Sequence, residues 1–140
     1  MIDKDLIEAK FDIIERNLHF IRSYYEGKTA EEIEEDYRDY QALKFSLFEI
    51  VEACIDIANH IIAAERFERA EEYSQMFIVL GKNNVISEKL AEKLSNMARF
   101  RNLLVHRYGE IKAQRLMEIV KEDLNDIVEF VKEVKEFMEE

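Results

Sequence analysis

At 140 residues the chain has room for one domain, residues 1–140, and 48% hydrophobic with 36% charged residues supplies both a core and a solvated surface. The formal charge of −11 excludes a general nucleic-acid coat, which draws its affinity from a basic face. No proline and three glycines leave the elements almost free of helix breakers, so long helices are expected.

The first helix is expected over residues 3–25, with Leu6, Phe11, Ile14, Leu18 and Ile21 at helical spacing and Gly27 as its stop. Thr29 and Glu32 have the spacing of a capping box, in which each side chain reaches a free backbone N–H at a helix start. A long second helix, 30–65, then carries its stripe on Leu43, Leu47, Ile50, Cys54, Ile57, Ala58 and Ile61. The acids from Glu31 to Asp36 read as a solvated face near a helix N-terminus. Cys54 has no thiol partner and sits in an apolar run, so it is assigned to core packing. A short helix over 70–80 is apolar at Tyr73, Met76, Phe77 and Leu80, and Gly81 with Asn83-Asn84 ends it. Ser87 caps a fourth helix, the third of the main ones, that runs to about Tyr108, where Gly109 stands in the C-cap position. A last amphipathic helix, 112–138, follows through Leu116, Ile119, Val120, Leu124, Ile127 and Val131.

These elements predict an all-α antiparallel bundle of four main helices plus one short one. The N-terminal MIDKDLIEAKFD carries acids throughout, and no stretch approaches the ~18 apolar residues that a membrane crossing needs. A soluble, cytoplasmic protein without membrane contact is expected.

Charge is uneven. Between Lys82 and Arg115 eight basic residues face three acids, a local excess of five on an otherwise acidic chain. On a wheel of about 100° per residue, Leu90, Leu94, Met97, Arg101, Leu104, Val105 and Tyr108 share one stripe, with Arg101 in its middle. A guanidinium keeps its charge, so Arg101 must meet a carboxylate, a phosphate-like ligand or a wet subunit interface. The structural solution is an ion pair with Glu49, Glu52 or Asp56, which recur along one side of the second helix.

Asn102 and His106 are four apart and share a face, so arginine, asparagine and histidine form one arc near a helix end. His106 there also suits the negative end of the helix dipole. His19 and His60 lack ligand-type partners at the usual spacing and are read as structural. The chain has no cysteine pair, HExxH, phosphate-cradling glycine loop or GxSxG elbow, so no metal or cofactor is expected.

The run Arg101-Asn102-Leu103-Leu104-Val105-His106-Arg107-Tyr108 resembles the R-x4-H-x-Y motif of HEPN RNases of the HepT type. The stretches 45–62, 73–86 and 90–108 resemble consecutive parts of that family, and the likeness covers roughly residues 45–125. The resemblance implies a HEPN-like homodimer in which two motif helices form one RNA-cleaving cleft, without a metal. It implies that Arg101 holds the scissile phosphate and His106 moves protons, with Asn102 and Arg107 orienting the imidazole or binding phosphate. It further implies a toxin of a type VII-like toxin-antitoxin pair, silenced when a cognate minimal nucleotidyltransferase (an MntA-like antitoxin) transfers AMP to Tyr108. The alternative is a non-catalytic helical dimer that binds a nucleotide or a nucleotidyltransferase partner.

Overall fold

The computed structural model describes residues 1–106, the last of these in its backbone alone, and 111–140. Its described residues are all-α, in seven helices: α1 (Lys4–Tyr24), α2 (Ala30–Glu35), α3 (Tyr37–Ala64), α4 (Tyr73–Lys82), α5 (Glu88–His106), α6 (Ala113–Glu122) and α7 (Leu124–Glu139). Every expected element is present, and two of them are divided.

Asp36 divides the second. It lies in extended conformation, and its carboxylate accepts from the N–H groups of Arg38 and Asp39 at 3.0 and 3.2 Å. A side chain that competes with the backbone for these donors favours a cap over a helix interior. The break turns α2 so that Ile33 is fully buried and α2 packs on α6. Asp123 divides the last helix, closing α6 with its N–H on the Ile119 carbonyl and opening α7 with its own carbonyl.

The other boundaries have local causes. Asp3 caps α1 through the Leu6 N–H, the Thr29–Glu32 capping box is formed in full, and the Ser87 hydroxyl accepts from the Leu90 N–H. Gly27 sits at φ +90°, a region open to glycine. Asn84, at φ +62°, closes α4 with reciprocal bonds from Asn84 N–H to the Gly81 carbonyl and from Val85 N–H to the Leu80 carbonyl. Gly81 therefore lies inside the helix and is not its stop. Its function is proximity: a Cβ built there would stand 2.7 Å from the Ala91 Cβ on α5.

The α1–α3 pairing is antiparallel, as successive contacts show: Asp3 with His60, Lys10 with Asp56, Asn17 with Ser46 and Tyr25 with Asp39. The α5–α7 pairing is antiparallel as well, since Ser87 meets Glu133 and Lys93 meets Asp126. The expected stripes of α3 and of α6–α7 are buried throughout, Cys54 included, and burial pushes its thiol pKa up. Along α1, Ile7 takes the core position and Leu6 is exposed. No helix among the described residues is long and apolar enough to cross a membrane.

Candidate functional site

The site region lies where α5 crosses α3 and the start of α4. Leu90, Leu94, Met97 and Leu104 bury their side of α5, which carries Arg101 toward α3. Val105 departs from the expected stripe and is exposed, as is Leu103. Four residues from Arg101, Val105 lies about 40° past the row of contacts that the crossing covers.

Arg101 is satisfied on one edge. Its Nε donates to the Glu52 Oε1 at 2.5 Å, and the guanidinium carbon stands 4.5 Å from the centre of the Tyr73 ring. The two side chains are 19% and 30% exposed, so the pair is half-buried and open to solvent. Its Nη groups make no hydrogen bond among the described residues. A fork with one edge held by a carboxylate and the other edge free retains donors for a second oxyanion.

Of the three acids that could have met Arg101, Glu52 does so. Asp56 pairs with Lys10 at 2.9 Å, and Glu49 accepts weakly from the Asn17 amide at 3.5 Å. His60 has a structural partner, since its Nε2 accepts from the Asp3 N–H at 2.9 Å. No group of three or more His, Cys, Asp or Glu side chains among the described residues could hold a metal ion.

Asn102 is exposed and lines a cavity of about 430 Å³ with Glu71, Glu72, Tyr73, Ser74, Ala98 and Arg99. The backbone of His106 is helical one turn later, which keeps Asn102 and His106 on one face of α5. The side chain of His106, and Arg107, Tyr108 and Gly109 altogether, lie outside the described residues. Tyr73 escaped the sequence reading. Its spacing to Met76, Phe77 and Leu80 matches a core stripe, yet it is exposed and its ring receives the arginine. The only available signal was its place at the first position of a helix, where packing is one-sided.

Below the site, the Tyr40 hydroxyl donates to the Ile111 carbonyl and ties α3 to the chain just before α6. A groove of about 560 Å³ between α1 and α7 is lined by Leu18, His19, Arg22, Val128, Lys132 and Lys135 among others and includes no motif residue.

A family model described as ribonuclease HepT-like matches residues 14–134. The chain is 29% identical over 131 residues to an mRNA nuclease HepT of Shewanella oneidensis, covering 94% of this chain and 97% of that one. It is 23% identical to a tRNA nuclease HepT of Aphanizomenon flos-aquae, with 98% and 92% covered. A solved structure of the tri-AMPylated Shewanella oneidensis HEPN toxin in complex with an MNT antitoxin superposes with a TM-score of 0.84 at 29% identity, over 94% of this chain and 97% of that one. A cytosolic protein of unknown function from Bacillus subtilis shares the fold, with a TM-score of 0.87 at 20% identity and 99% and 92% covered.

Proposed function

Because the chain belongs to the HepT-like ribonuclease family, we propose that it is an RNA endonuclease toxin that is silenced by AMP transfer from a nucleotidyltransferase antitoxin. The observation that carries this reading is Arg101: Glu52 and Tyr73 hold one edge and one face of its guanidinium, and the other edge makes no hydrogen bond among the described residues. The S. oneidensis relative, crystallised AMPylated and with its antitoxin, supports the pairing and the modification.

In the proposed reaction the Nη groups of Arg101 bind the non-bridging oxygens of the scissile phosphate and offset the charge that grows on them. His106 takes the proton from a ribose 2′-OH, whose oxygen attacks the adjacent phosphorus. The P–O5′ bond breaks, the departing 5′ oxygen is protonated, and a 2′,3′-cyclic phosphate remains. The arginine supplies the positive charge, so this route uses no metal. Asn102 and Arg107 orient the imidazole or bind phosphate. Val105, exposed one turn from the arginine on nearly the same side of α5, is suited to a second copy of the chain, so that the working form is a homodimer with two motif helices across one cleft.

AMP on Tyr108 would bring a phosphate and a nucleoside into this cleft, where they compete with RNA for Arg101. The test joins intact mass to RNA cleavage, for protein made with and without a cognate nucleotidyltransferase. Cleavage by the unmodified chain, lost in His106→Ala and suppressed when AMP mass appears on Tyr108 and not in Tyr108→Phe, supports the proposal. Absence of both cleavage and added mass overturns it, leaving a helical module that binds a nucleotide or partner enzyme.

A further inference from the structure

The cavity between the start of α4 and the outer face of α5 holds more chemistry than the proposed cleavage step uses. Ser74 lines it and is only 8% exposed, yet its hydroxyl has no hydrogen-bond partner among the described residues. The residue is buried but its oxygen is not sealed from solvent, so the hydroxyl keeps a donor and an acceptor for whatever fills the cavity. The first turn of α4 adds backbone donors: Glu72 occupies the N-cap position without a side-chain cap bond, and although the Gln75 N–H donates to the Glu72 carbonyl at 3.1 Å, the N–H groups of Tyr73 and Ser74 make no hydrogen bond among the described residues.

Two α5 side chains complete the wall. Arg99 is exposed and spends one Nη on the Asn96 side chain at 3.1 Å, and Asn102 is exposed with its amide uncommitted among the described residues. Glu71 and Glu72 also line the cavity; both are exposed and can turn into solvent. Tyr73 belongs to both places, since it lines the cavity and carries Arg101 on its ring. The cavity therefore begins one aromatic ring away from the guanidinium assigned to the scissile phosphate.

We propose that this cavity is a second phosphate subsite, in which Ser74, the α4 N-terminus, Arg99 and Asn102 bind the RNA backbone phosphate next to the one held by Arg101. The inference rests on RNA being the substrate. A hydroxyl donor, free helix N–H groups, a guanidinium and an amide are the donors a phosphodiester takes, and none requires a particular base. The subsite thus serves register along the strand, while Arg101 and His106 act on the bond beside it.

The test uses the full-length protein, a mixed-sequence 12-mer RNA with every ribose 2′-O-methylated so that it cannot be cut, and total cellular RNA as a cleavage substrate. Arg99→Ala should weaken 12-mer binding by about ten-fold at low salt and reduce the dependence of log affinity on log salt by about 0.7, the value for one phosphate contact on a single strand. Arg99→Lys should restore the slope. Ser74→Ala should weaken binding by about three-fold, the range of one neutral hydrogen bond, while its melting temperature is unchanged because the solvent-accessible hydroxyl makes no hydrogen bond among the described residues. A lowered melting temperature with unaltered binding would assign Ser74 to packing and overturn the subsite. Wild-type affinity and salt slope in Arg99→Ala and Ser74→Ala, with total RNA still cleaved by the wild type, would overturn the subsite alone. If the wild type neither binds the 12-mer nor cleaves RNA, the ribonuclease reading falls and the subsite with it.

Discussion

Replacing Arg101 by alanine separates a functional guanidinium from a structural one. The change removes a half-buried ion pair with Glu52, about 1 kcal/mol at this exposure, and a stack on Tyr73 of about 0.5–1 kcal/mol. Glu52 is 30% exposed, so water recovers it, and the larger penalty of about 3–5 kcal/mol for stranding a fully buried charge does not arise. The expected loss is about 1–2 kcal/mol, a fall of roughly 4–8 °C in melting temperature for a chain of this size. This differs from the behaviour of an unpaired active-site arginine, whose removal would leave stability unchanged or improved. Thermal unfolding of Arg101→Ala, Glu52→Ala and the double variant, read as a double-mutant cycle, should give a coupling near 1 kcal/mol while RNA cleavage is abolished. A loss above about 3 kcal/mol with the RNA chemistry intact would make the arginine a structural ion and refute the argument.

Asp123 has its pKa raised by burial, then by the neighbouring Asp126. An acid with a raised folded-state pKa opposes folding above that value, and the cost disappears as pH falls to the ordinary carboxylate range; Asp123→Asn should therefore stabilise at pH 7, with the gain fading under acid in urea titrations across pH. Because no side-chain cap bond is lost, a destabilised Asp123→Asn at neutral pH would contradict this reading. At Gly81, alanine gains about 1 kcal/mol of helix propensity but drives its Cβ into Ala91 at 2.7 Å, so denaturant unfolding should show a net loss of about 1 kcal/mol or more. Tyr73→Phe should cleave RNA like the wild type because the ring persists, whereas Tyr73→Ala should lose about two- to five-fold in kcat/KM as Arg101 loses its stacking face.

Periodicity made the helices legible, because the stripes of α3, α5 and α7 are long and uninterrupted by proline or interior breakers. Asp36 and Asp123 were opaque for one reason: an aspartate on a polar helix face and an aspartate at a cap have the same neighbours in sequence, and tertiary burial of Ile33 or Leu124 decides between them. Arg101 was conspicuous as a charge inside an apolar stripe, and its carboxylate partner was among the three acids considered. Tyr73, Ser74 and Arg99 were not, since each fits an ordinary helix pattern until α4 and α5 are set side by side. Val105 shows the converse: helical phase placed it inside, but the crossing of α5 over α3 ends before it.

The contact between Gly81 and Ala91 acts at a distance. It lies eight residues from Tyr73, about 12 Å along the α4 axis, so α4 works as a lever with its fulcrum at the turn and its tip at the mouth of the cavity. One methyl group added at the fulcrum would tilt the whole arm and widen the gap between Tyr73 and Asn102 without altering a single residue that faces it. Substrate fit in this architecture can accordingly drift or be engineered from the far end of the helix pair, through the thickness of two of the smallest side chains.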